Sequence, residues 1–220
     1  MPRKRGERAG LTREQVLDAA LALVDRAGLP ALTMRALGAE LGVEAMTVYH
    51  YVPSKEALID GMVERLFTAA HPAEPGPDWR EHLRRYAHDL RAALLRHPGI
   101  LPAAVRPATT PATLDAVEAG LRALTGGGFA LGTALDILNT LTLFVLGHTA
   151  AEVGIGPEPP AGLAELDEAR YPLLLQSLRS GAGTDDAARF TFAVEVLLAG
   201  FAATLPVFFS AAVVVEKEPE

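Results

Sequence analysis

Apolar residues recur at helical spacing along most of this chain and alternate with period two nowhere for long, so the sequence predicts an all-α fold. The best-marked segment is LTREQVLDAALALVDRAG, where Val16, Leu17, Ala20, Leu23 and Val24 fall on one helical face. Thr12 and Gln15 have capping-box spacing at its start, and Gly28 stands where a helix ends. A second helix is predicted over residues 33–41, with Thr33 as N-cap, Met34, Leu37 and Leu41 facing inward, and Gly42 as the turn. A third, over residues 45–51, is stopped by Pro53 and packs through Val43, Val48 and Val52, leaving Ala45, Met46, Thr47, Tyr49 and His50 largely outward. Tyr51 is ambiguous and packs half inward. Ser54 then caps a fourth helix whose stripe is Leu58, Met62, Leu66 and Ala69.

The loop PAEPGPD marks a boundary, dividing the chain into a basic arm (1–10), a small helical unit with a connecting helix (11–71) and a larger α-helical domain (72–220). Helices are predicted in that larger part at about 79–98, 113–124, 131–153 and 171–178, with a last one starting near Asp185. Residues 196–215 carry no charge and are long enough to cross a bilayer. Pro206 interrupts them and charged residues flank them, so a buried helix in a core or subunit interface fits better than a membrane span. Half the residues are hydrophobic, enough for a substantial core, and the absence of cysteine suits a reducing compartment, with cytoplasm the default. The start MPRKRGERAG lacks the apolar stretch of a secretory signal.

Three short helices with a glycine turn between the second and third make a helix-turn-helix, whose last helix is sized for the major groove. Charge agrees: residues 1–55 hold eight Lys/Arg against six acids, whereas the remainder holds 12 against 21, in a chain of net charge -7. A basic end on an acidic body confines polyanion contact to the first quarter. Thr47, Tyr49 and His50 offer hydroxyl and imidazole groups, and Arg35 and Lys55 flank them, as phosphate and base-edge recognition requires. Enzyme signatures are missing: there is no G-x-S-x-G, P-loop, strand-linked G-x-G-x-x-G or Cys nucleophile, and no catalytic residue is assigned. The histidines lack partners at ligand spacing, so no metal site or cofactor is expected.

Residues 11–67, in particular TMRALGAELGV and TVYHYVPSKEAL, resemble the DNA-binding domain of the tetracycline-repressor (TetR) family, and WREHLRRYAHDLRAALLRHP and GGGFALGTALDILNTLTLFVLGH resemble the regulatory domain of the tetracycline repressors. The resemblance implies a homodimeric, ligand-controlled repressor of a palindromic double-stranded operator. It gives Arg35, Ala45, Met46, Thr47, Tyr49, His50 and Lys55 the DNA-contacting positions, and His71, Tyr86, Leu90, Arg106 and Pro107 the drug pocket. It also pairs the helices near 131–153 and 185–209 in a four-helix dimer interface.

The departures from the family are chemical. Pro102 stands at the metal-binding histidine position and Val105 at the pocket threonine, and neither side chain can coordinate Mg²⁺. Ala151 takes the partner subunit's acidic position with Glu152 one place off, while Tyr86 replaces an asparagine and Leu90 a phenylalanine. These changes imply a small, largely apolar effector other than magnesium-tetracycline. A tetracycline-type repressor with an altered pocket, and an interaction or carrier protein that binds no DNA, stay open. So do a dipole or solvated role for His71, a core or interface role for His148, and the conformation of residues 210–220.

Overall fold

The computed structural model describes residues 10–70, 78–106, 110–154, 166–181 and 185–205. His71, Pro107, most of the basic arm and the end of the uncharged 196–215 stretch lie outside them. Among the described residues the regular structure is entirely helical: α1 (Arg13–Ala27), α2 (Met34–Leu41), α3 (Ala45–Tyr49), α4 (Lys55–Ala70), α5 (Trp79–Arg96), α6 (Leu101–Ala104), α7 (Pro111–Gly126), α8 (Leu131–Gly154), α9 (Pro172–Ser180) and α10 (Asp186–Ala202).

The first four helices form where local chemistry predicts them. Thr12 and Gln15 make both bonds of the capping box, and Thr33 Oγ1 accepts from Ala36 N at 3.0 Å. Ser54 Oγ accepts from Ala57 N at 3.0 Å to start α4. Gly42 ends α2 at φ 68°, in the left-handed region that glycine enters without a Cβ clash. Val16, Ala20, Val24, Leu37, Val48, Leu58 and Met62 are wholly buried between α1, α2, α3 and α4. Two details differ from the sequence reading. The α3 helix ends at Tyr49, and the buried end of the α4 stripe is Ala70 rather than Ala69, because Ala70 turns toward the core.

The larger part is organised around α5, which packs against α4, α8 and α10. Asp78 caps α5, and Leu83, Tyr86, Ala87, Leu90 and Leu94 line its buried face. Helix α8 is long and apolar enough to cross a membrane by length and composition, yet Ala134, Ile137, Leu141 and Val145 are buried against its neighbours. Phe190 of α10 is the largest wholly buried side chain among the described residues. It stacks on Phe144, meets His88 and His148 edge-on, and lies under the Arg91 guanidinium.

One joint ties the two parts together. A 3-10 turn, Pro98–Ile100, follows α5 and presses on the C-terminal end of α1. Asp25 of α1 meets His97 Nδ1 at 2.7 Å and accepts from Gly99 N at 3.2 Å. The approach is so close that a Cβ on Gly99 would stand 2.5 Å from the Val24 carbonyl oxygen.

Candidate nucleic-acid interface and apolar cavity

The exposed side of α3 is small and mixed in character. Val48 and Val52 anchor it to the core at 0 and 1 % exposure, whereas Met46 is 67 % and Tyr49 42 % exposed and His50 is exposed beside them. Arg35 projects from α2 and Lys55 starts α4, half-buried, just beyond the α3 turn. Of the seven expected DNA-contacting residues, Arg35, Met46, Tyr49 and His50 are exposed and Ala45, Thr47 and Lys55 are half-buried. Ala45 packs on the core because the first turn of α3 lies against α2. Tyr51 is half-buried and packed against the core. The helix-turn-helix acid Glu40 is engaged by Arg26 at 2.8 Å, which reduces the negative field on this face.

A second site lies between α4, α5, α6, α7 and α8: a cavity of about 420 Å³, within the range of small-molecule pockets. Its wall is mainly aliphatic, with Leu135, Leu138, Leu143 and Leu146 from α8, Ala116 and Val117 from α7, Ala104 and Val105 beside α6, and Phe67 from α4. Polar groups are few. Tyr86 Oη lies 2.8 Å from Thr142 Oγ1, and Asn139, Thr113 and Arg106 complete the lining. Burial pushes the Tyr86 phenol up to about 12, so it faces the cavity as a neutral donor or acceptor.

Of the expected pocket residues, Tyr86, Val105 and Arg106 line this cavity. Leu90 does not: one helical turn beyond Tyr86, it is wholly buried in the core, where it supports the cavity rather than facing it. Pro102 faces elsewhere, into a shallow depression shared with Leu29, Lys55 and Gly99 at the joint of the two parts. Sequence reasoning missed Asn139 and Thr142. Their spacing of three puts them on one face, but Thr133, Asp136 and Thr140 on the same helix are polar too, so the sequence carried no signal specific to them.

The donor set bears on metal binding. Among the described residues the cavity lining holds no carboxylate and no imidazole, and no group of three His, Asp or Glu able to hold an ion exists. Glu152 is held by Arg91 through two bonds of 2.6 and 2.9 Å, with both side chains mostly buried. The described lining offers hydroxyls and one amide oxygen but no carboxylate to balance a divalent charge, and its one ionised side chain, Arg106, is itself a cation. His148 is likewise absent from the cavity; it packs on Phe144 and Phe190, as a core or interface histidine does.

Comparison with known proteins covers both sites. Residues 16–62 match the family described as "Bacterial regulatory proteins, tetR family", and residues 71–205 match "Tetracyclin repressor-like, C-terminal domain". The chain is 35 % identical to the tetracycline repressor protein class D of Escherichia coli over 206 residues, covering 88 % of this chain and 90 % of that one. Among solved structures it resembles a possible TetR family transcriptional regulator from Streptomyces coelicolor A3(2), at 33 % identity and TM-score 0.71, over 87 % of this chain and 98 % of that one. It also resembles the Streptomyces coelicolor TetR family protein ActR in complex with actinorhodin, at 25 % identity and TM-score 0.73, over 89 and 98 % of the two chains.

Proposed function

The chain belongs to the TetR family of transcriptional regulators, and from that premise we propose that it is a cytoplasmic homodimer that represses a palindromic operator until a small, largely apolar effector other than magnesium-tetracycline releases it. One observation carries this reading. Helix α4 begins with Lys55 beside α3 and, about 20 Å along at 1.5 Å per residue, contributes Phe67 to the cavity wall. A ligand that prefers one setting of α4 therefore biases the position of the DNA-facing residues, and only that difference in affinity moves the equilibrium.

Residues 11–71 read the operator in this account, and residues 72–220 sense the effector and dimerise. Support for the dimer comes from α10, which exposes Phe192, Val196, Ala199 and Gly200 at helical spacing, and from α8, which exposes Gly147 and Ala150. Small and apolar residues on two long helices suit close packing of four helices across a two-fold axis. Tyr49 and His50 donate to the sugar-phosphate wall, Met46 contacts base edges, and Arg35 and Lys55 take phosphates. Tyr86, Val105 and Arg106 bind the effector, joined by Asn139 and Thr142.

Fluorescence anisotropy with the intergenic DNA beside the gene tests the reading. Wild-type protein is expected to bind selectively, with affinity falling steeply as salt rises. Tyr49→Ala and Lys55→Ala are expected to weaken binding while sedimentation still reports a dimer. Absence of sequence-selective binding in the wild type refutes the regulator, and joint loss of binding and dimerisation makes those residues structural.

A further inference from the structure

The charge inside the cavity narrows the effector's chemistry. Among the described lining residues Arg106 is the one ionised group, and no carboxylate shares the wall with it. Its guanidinium makes no ion pair within 4 Å among the described residues, whereas Arg84 and Arg91 are paired with Glu195 and Glu152. Arg106 is exposed at the mouth of the cavity, beside Val105 at 61 % exposure, with the aliphatic wall of Leu135, Leu138 and Val117 on its inner side. An uncharged ligand would leave that cation to solvent alone, whereas a cationic ligand, or a chelate whose metal lies on its side, would be repelled.

Resting on the regulator reading above, we propose that the effector is a metal-free organic anion. Its apolar body fills the space between Leu138 and Val117, its carboxylate, sulfonate or phenolate is received by Arg106, and a second oxygen meets the Tyr86–Thr142 hydroxyl pair or Asn139. Arg is suited to the role because its planar fork gives two parallel bonds to an oxyanion, and charge-assisted bonds are about twice as strong as neutral ones.

Two fluorescent probes of matched shape test the proposal on the full-length protein: anionic 8-anilinonaphthalene-1-sulfonate and its uncharged relative N-phenyl-1-naphthylamine, each titrated with Mg²⁺ and with EDTA. The anion is expected to bind at one site per chain at least about tenfold more tightly than the neutral probe, as one charge-assisted contact allows, and EDTA is expected to change nothing. Arg106→Gln should abolish the preference, Arg106→Lys should keep most of it, and Val117→Trp, at the exposed mouth, should weaken both probes.

Equal affinity for the two probes overturns the proposal, as does a requirement for Mg²⁺ or anion binding untouched by Val117→Trp. Should Arg106→Gln fail to fold, the wild-type comparison and Arg106→Lys still decide. Operator binding measured on the same preparation without probe separates the two claims. Its absence sinks the regulator, whereas equal probe affinities with intact operator binding sink only the anion.

Discussion

Replacing Gly99 by alanine puts the joint between the DNA-binding helices and the sensing domain under direct stress. The glycine has no positive φ, so an alanine suffers no backbone strain there and its effect is that of one added methyl group. That methyl would lie 2.5 Å from the Val24 oxygen, 2.8 Å from the Val24 carbonyl carbon and 3.0 Å from Asp25 N, all backbone atoms with no rotamer to yield. Since carbon contacts are optimal near about 3.5 Å, the turn and the end of α1 must part by roughly 1 Å. A gap of that size lengthens the 3.2 Å bond from Gly99 N to Asp25 beyond hydrogen-bonding range and loosens the His97–Asp25 contact beside it. Overpacking costs about 1–3 kcal/mol and the weakened bond to a carboxylate adds to it. Against this stands a gain of only about 0.4–1 kcal/mol from the stiffer unfolded chain. The expected net loss of about 2 kcal/mol corresponds to a fall in melting temperature of roughly 4–8 °C for a chain of this size. Thermal unfolding followed by circular dichroism measures it, with Gly132→Ala as the contrast, because a Cβ there meets nothing within 4 Å and the same entropy gain should hold or raise stability. A Gly99→Ala protein that melts with the wild type would refute the close approach and the coupling inferred from it.

Two further outcomes follow from buried titratable groups. Burial holds His148 below its ordinary range, the opposing pull of Glu152 at 3.8 Å being weaker, while Arg189 and Arg91 face it from α10 and α5 and disfavour its charge. With the folded value depressed, the unfolded chain binds more protons below about pH 6.5; stability is therefore full above that pH and declines as pH falls toward the folded value. Urea midpoints across this interval should fall less for His148→Phe than for the wild type, and parallel curves would contradict the assignment. Tyr86 behaves oppositely. Its phenol is pushed up to about 12 from 10.0, so its contribution is complete below pH 10 and is lost as pH rises through 12. An ultraviolet titration of wild type minus Tyr86→Phe should give that late midpoint, and a midpoint near 10 would place the ring in water.

How far each site was legible depended on the range of the interactions that make it. The capping box at Thr12 and Gln15, the left-handed glycine at Gly42 and the serine cap of α4 rest on bonds between residues at most four apart, so residue order announces them. The recognition face was readable for the same reason: once Val48 and Val52 are inward, helical geometry turns Met46, Tyr49 and His50 away. Ala45 failed this reasoning because the approach of α2 to α3, rather than the periodicity of α3, covers it. Leu90 failed it differently, since Tyr86 and Leu90 share one face of α5 and only the placement of α7 and α8 decides where cavity ends and core begins. Helix α8 is apolar nearly all round, so no stripe in its sequence singles out Asn139 and Thr142 as cavity wall.

The sequence by itself therefore determined the helical class, the helix-turn-helix and its outward residues, because caps, turns and apolar spacing act within a few residues. It also showed that Pro102 and Val105 carry no side-chain donor atom for a metal ion. Tertiary structure alone decided the rest. It set Arg106 at the edge of an aliphatic wall with no acid among the described lining residues, turned Glu152 onto Arg91, and brought Asp25 against His97 and Gly99 across 72 and 74 residues of chain. Such contacts depend on the angles at which whole helices cross, and those angles follow from the packing of every side chain between them rather than from any local stretch.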